Sequence, residues 1–140
     1  MKRCIGILIV VLLFDVLGAA AQETPQVKVT PLMSSMTTAT GQPIVLPQGK
    51  AEVRVSMYEI AVGARLAVHK HPFHRYAYVL AGRLRVSDQD NVRTFDYAAG
   101  DFLIEMVDTW HYGEVIGDEP VRLLVIDQVE PGEQNTILFN

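Results

Sequence analysis

The sequence predicts an all-β domain, an antiparallel sandwich or a small barrel. Three observations carry that expectation. Short runs of alternating apolar and polar residues recur from Ala51 onward, turn residues separate them every 8 to 12 positions, and no segment has the periodicity of an amphipathic helix. With 140 residues, 49% of them apolar, the chain has material for one compact core and not for two.

Residues 1–21 read as a bacterial secretory signal peptide. Lys2 and Arg3 supply a basic start, Cys4 to Phe14 an apolar run of 11 residues, and Ala19-Ala20-Ala21 the small residues that precede a cut before Gln22. An uncleaved anchor is the competing reading. The run falls short of the ~20 apolar residues that span a bilayer, so the mature chain is expected to be periplasmic or secreted, without stable membrane insertion. Residues 22–50 carry Pro25, Pro31, Pro43 and Pro47 and a Ser/Thr-rich patch from Ser34 to Thr40. They read as an extended arm with short strands near Val27 to Val29 and Ile44 to Leu46.

The barrel is assigned to 51–128. Its expected strands are Ala51 to Ile60, Arg65 to His71, Tyr76 to Ala81, Arg83 to Ser87, Val92 to Asp96, Phe102 to Met106, His111 to Val115 and Val121 to Gln128. Gly82, Asp88-Gln89-Asp90-Asn91, Ala98-Ala99-Gly100 and Gly117-Asp118-Glu119-Pro120 supply turns between them. Residues 129–140 are left as a C-terminal tail.

Composition excludes several functions. A formal net charge of −4 gives no electrostatic reason to bind nucleic acid. Cys4, the single cysteine, lies in the leader, so the mature chain would have no disulfide, no Cys-ligated zinc and no iron–sulfur cluster.

What remains is histidine. His69 and His71 are two apart in a strand, so both imidazoles point to one face of the sheet, and His111 would close the set from a second strand. Leu66 and Val68 have the opposite parity. With the histidines inward they would face outward and need a cover, for which the arm of this or a neighbouring subunit is available; a homodimer is therefore expected.

Gly63, five residues, His69-Lys70-His71-Pro72 and then Tyr78-Val79-Leu80-Ala81-Gly82 resemble the first motif of the cupin superfamily. Gly100-Asp101-Phe102 running on to His111, a spacing of 11 positions, resembles the second. The resemblance implies an antiparallel double-stranded β-helix, or jelly-roll barrel, with a metal bound inside by residues of both motifs. Two departures stand out. Cupins usually place a Glu ligand four positions after the second His; here that position is Arg75, and the next is Tyr76, neither suited to a divalent ion. Met106 and Asp108 stand where Pro and Gly are common, which reshapes a turn without removing a ligand.

The expected site is thus a three-His centre of His69, His71 and His111 holding a divalent transition metal: Fe, Ni, Mn, Cu or Zn. Losing the carboxylate leaves that metal more positive and favours an anionic ligand. Arg75 either takes such a ligand in a bidentate fork or turns outward to an acidic neighbour. Glu105 is a substitute ligand, a general base or a solvated charge. Arg75 and Glu105 are the catalytic candidates. His74 is placed at the mouth or surface, and two or three of Tyr76, Tyr78, Phe102, Met106, Trp110 and Tyr112 are expected to touch ligand. Two function classes follow: a metal-dependent dioxygenase, isomerase or lyase acting on a small anionic organic molecule, or a non-catalytic cupin that binds or senses a ligand or metal. Fold does not choose between them.

Overall fold

Two antiparallel sheets form in the computed structural model, which describes residues 27–90 and 92–140. The leader reading of residues 1–21 lies outside the described residues. The strands are β1 Glu52–Ile60, β2 His69–Lys70, β3 Arg75–Ala81, β4 Arg83–Asp88, β5 Thr94–Ala98, β6 Phe102–Ile104, β7 His111–Val115, β8 Val121–Val129 and β9 Ile137–Leu138. One sheet has the order β1-β8-β3-β6, the other β5-β4-β7-β2-β9.

Alternation explains the core. On β8, Val121, Leu123 and Val125 are buried while Arg122 is exposed, and on β3 Ala77 and Val79 are buried while Leu80 is exposed. These inward residues meet Leu84 and Val86 of β4 and Val115 of β7 from the facing sheet. Burial of each such side chain contributes about 1.5–3 kcal/mol, so the two inner faces supply most of the driving force. The β3–β4 corner needs its glycine. Gly82 has φ of 75°, and a Cβ there would sit 2.4 Å from the Pro120 carbonyl oxygen.

Every expected barrel strand forms, but β2 keeps only His69–Lys70 of the expected 65–71 run. Arg65 holds an isolated bridge to Glu114, and the chain bends at Val68 before pairing resumes. The bend breaks the parity argument. Leu66 does not face outward: it packs against the core and its Cδ1 lies near Gly113, on the same side as His69. The expected need to cover Leu66 falls away.

Two further segments differ from expectation. The strands anticipated near 27–29 and 44–46 do not form, because Pro25, Pro31, Pro43 and Pro47 flank both runs and withhold the N–H groups a ladder needs. Within the unit spanning Pro31–Asn140, the arm is held instead by single bonds. Ala39 N–H donates to the Ile104 carbonyl at 2.9 Å, and the Gln42 amide pairs both ways with the Val107 backbone, at 2.8 and 3.0 Å. The segment after 129, expected as a tail, returns to the barrel and pairs as β9 with β2, His69 opposite Leu138 and Lys70 opposite Ile137.

Candidate metal centre

The register brings the histidines together. His69 of β2 lies directly opposite His111 of β7, and His71, one residue past β2, bridges to Val107. The three ring centroids are 4.5 to 4.9 Å apart. Glu105 follows β6 with the parity of buried Leu103 and enters the same space. One ligand atom from each of His69, His71, Glu105 and His111 falls within a mutual 4.8 Å. The expected three-His centre is therefore a three-His, one-carboxylate cluster: Arg75 occupies the usual Glu position of the first motif, and Glu105 brings a carboxylate from another strand.

The hydrogen bonds fix which nitrogens face inward. His69 Nδ1 donates to the Ala67 carbonyl and His111 Nδ1 to the Thr109 carbonyl, both at 2.7 Å, and His71 Nδ1 donates to the Asn135 carbonyl. A carbonyl only accepts, so each Nδ1 carries the proton and a neutral ring presents a lone pair at Nε2. Glu105 Oε2 stands 3.1 Å from Nε2 of both His71 and His111. A carboxylate is also only an acceptor. Such convergence is repulsive unless a cation or protons lie between the groups, and His71 and His111 are almost fully buried, at 0% and 1% exposure. The donor set fits a divalent transition metal, with the proton-bearing nitrogens already tied to outer partners.

Electrostatics agree in direction. Burial pushes the Glu105 carboxyl up, but positive charge shared with Nε2 of His111 and His71, whether protons or a metal, outweighs it and holds the carboxyl well below the usual carboxylate range. Burial, with smaller repulsive contributions from His111 and His71, lowers His69 to about 4 against its bond to Ala67. A depressed histidine binds its proton in the unfolded chain first, so stability is full above the unfolded value of 6.5 and is lost as pH falls towards about 4. Metal-free protein is expected to lose about 3 kcal/mol over that window from His69 alone. Urea unfolding of the metal-free chain at a series of pH values measures it; a flat profile from neutrality to about pH 4 would contradict the buried neutral His69.

Arg75 neither turns outward nor stands free. It lies opposite Asp127 across β3 and β8, with Nε and Nη2 donating to the two carboxylate oxygens at 2.7 and 2.9 Å. Its Nη1 lies 3.5 Å from His71 Nε2, at the edge of the cluster. Burial disfavours its charge, but the Asp127 fork and the Glu105 charge more than offset this and raise its pKa. Inside the barrel His69, His111 and Glu105 adjoin a cavity of about 20 Å³, walled by Tyr58, Leu66, Leu84, Val86 and Leu123. That volume takes one water-sized ligand.

The aromatic residues expected around the metal are elsewhere. Tyr76 and Tyr78 have the parity opposite to buried Arg75, Ala77 and Val79, and Tyr76 and Phe102 border a groove with arm residues Leu32 and Met33. Met106 is core, Tyr112 lies beneath the Arg65 guanidinium, and Trp110 meets Phe139 edge to face. His74 is not a mouth or surface residue but buried, its Nε2 accepting the Val45 N–H at 2.9 Å. Asp108 has φ of 49°, so the second-motif turn keeps a left-handed residue with Asp in place of Gly, and Lys70 pairs with it at 3.1 Å. Sequence reasoning missed Asp127 and Asn135. For Asp127 a signal existed, an acid at the inward parity of Val121, Leu123 and Val125; for Asn135 there was none.

These features define a jelly-roll fold that gathers three histidines and a carboxylate in one cluster. The chain belongs to the cupin family, whose cupin domain matches residues 56–127. It is 35% identical over 75 residues to the oxalate decarboxylase OxdC of Bacillus subtilis (strain 168), a stretch covering 51% of this chain and 20% of that one. A solved structure from work on the Mn(II) centres of the Bacillus subtilis oxalate decarboxylase superposes with a TM-score of 0.51 at 31% identity, over 62% of this chain and 24% of that chain. The formate complex of the Lactobacillus farciminis oxalate decarboxylase gives 0.51 at 25% identity, over 62% and 26%. The chain thus spans about a fifth to a quarter of the length of these relatives.

Proposed function

We propose that this chain is a metal-dependent cupin that holds a divalent transition metal through Nε2 of His69, His71 and His111 and the carboxylate of Glu105, and acts there on a small organic acid. The observation that carries the reading is the convergence of four acceptor groups in a buried space, each His oriented by an outer carbonyl. Manganese or iron suits a mixed imidazole and carboxylate set, and manganese is the metal of the Bacillus relative. When bound, such a metal acts as a Lewis acid on oxygens of the substrate.

The chain's own residues set limits on the substrate. With Glu105 restoring a carboxylate, a strongly positive metal no longer argues for an anionic ligand; the argument rests on Arg75. Asp127 takes the Nε and Nη2 edge of its guanidinium and leaves Nη1 towards the cluster, placed to donate to a ligand oxygen. The cavity beside the cluster, about 20 Å³, has room for one water-sized ligand, so an organic acid reaches the metal only where the surrounding side chains give way. Beyond the four cluster residues, the cavity walls carry only Arg75 and Tyr58 as titratable groups, so acid–base steps have no separate base. That same scarcity favours the second reading, a binding or sensing cupin without turnover. Export remains part of the proposal on the strength of residues 1–21; mature protein starting at Gln22 is the expected product.

Metal analysis of the natively expressed protein, followed by assays of the Mn-loaded chain with oxalate and other small acids, tests the reading. Stoichiometric metal with acid turnover is expected. Metal without turnover, together with thermal stabilisation by one acid, would select the binder. Metal content unchanged in both His69→Ala and His111→Ala would defeat the site assignment.

A further inference from the structure

The geometry points to Asn135 as a positioning residue for the metal centre, one that fixes His71 from the C-terminal segment; the inference rests on the metal-binding reading above. His69 and His111 each bond a carbonyl two residues back, in the segment that leads into their own strand, so their orientation comes with the local backbone. His71 differs. Its Nδ1 partner is the backbone carbonyl of Asn135, 64 residues away and beyond the family-matched stretch 56–127. Nothing local replaces it.

The Asn135 side chain holds that carbonyl in place. Its Oδ1 accepts the Phe73 N–H at 2.9 Å, tying it to the loop that leaves His71, and its Nδ2 donates to Asp127 Oδ1 at 2.6 Å. The residue is 4% exposed, so no water substitutes for these bonds. Downstream, Thr136 Oγ1 accepts from Arg75 Nη2 at 3.2 Å, and β9 pairs with β2. The segment around Asn135 therefore touches His71, Asp127 and Arg75 together. Without the carbonyl, His71 is free to carry its proton on Nε2 and donate it to Glu105, which blocks the ligand lone pair.

Two measurements on the full chain test this. Long-range ¹H–¹⁵N spectra of the metal-free protein report imidazole tautomers directly: the parent should show His71 protonated at Nδ1, and Asn135→Ala should show mixed tautomers at His71 with His69 and His111 unchanged. Chelator competition with Mn(II) should show affinity reduced roughly 10- to 100-fold in Asn135→Ala, the usual effect of losing an outer partner. Thr136→Val, which loses only the Arg75 contact, should keep the parent tautomer and affinity. If Asn135→Ala does not fold, Asn135→Ser serves; its short hydroxyl cannot span both the Phe73 N–H and Asp127 Oδ1, and it should shift both readouts in the same direction. Parent-like tautomer and affinity in the folded Asn135 variant, or a parent His71 protonated at Nε2, overturns the inference. A parent that binds no metal defeats the metal reading, while the tautomer spectra still decide the role of Asn135.

Discussion

Replacing Asp127 with Ala is expected to destabilise the protein by about 3–5 kcal/mol, because it leaves the Arg75 guanidinium charged, buried and without its fork. Arg75 is 5% exposed, and Asp127 receives two of its N–H groups and the Asn135 amide besides. A charge so enclosed cannot rehydrate without opening the barrel. The size of the loss is not the worth of the ion pair, since taking both charges out of water is itself costly. Arg75→Met combined with Asp127→Leu should therefore cost less than the two single changes together, the remaining loss being the Asn135 amide left without its acceptor, while still weakening any ligand that depends on Arg75. Urea denaturation of the two single variants and the double variant gives the coupling. Additive losses would mean that Arg75 and Asp127 do not act as a pair, contrary to the geometry.

Much of this architecture was legible in the sequence, for a physical reason. Strands such as β3 and β8 bury one face only, so the side-chain period of two is written into the order of residues. His69 and His71 are legible as one face through strand parity, and His111 through the resemblance of Gly100 to His111 to the second cupin motif, since parity alone does not say which strands pair. The failures lie where the chain leaves regular structure. Strand parity stops at Val68, where the backbone bends, so Leu66 lies on the side opposite to the one alternation predicts. Glu105 was left open between ligand, base and surface charge because one inward carboxylate gives no pattern of its own. Asn135 acts through its carbonyl on a residue far away in the chain, and a backbone group has no signature in sequence at all.

Glu105→Gln should separate metal binding from stability by moving them in opposite directions. In the parent, the carboxylate Oε2 faces Nε2 of His71 and His111 at 3.1 Å each, and all three groups are acceptors when the rings are neutral. A cation relieves that repulsion; without one it is a local cost carried by the fold. Glutamine has nearly the same shape but supplies an NH₂ donor, which can bond a Nε2 lone pair. At neutral pH the metal-free variant should therefore be at least as stable as the metal-free parent, by a few tenths to about 1 kcal/mol. Metal affinity should fall by more than the 10- to 100-fold typical of an outer partner, because the single anionic ligand is gone. The acid sensitivity owed to His69 should remain in the variant. Denaturation and chelator competition on the same preparations read both effects. A variant that keeps the parent's metal affinity would show that Glu105 is no ligand and return the site to three histidines. One that loses both affinity and stability would show that the carboxylate is held by protonated imidazoles, and that the cluster is an internal ion pair and not a vessel for metal.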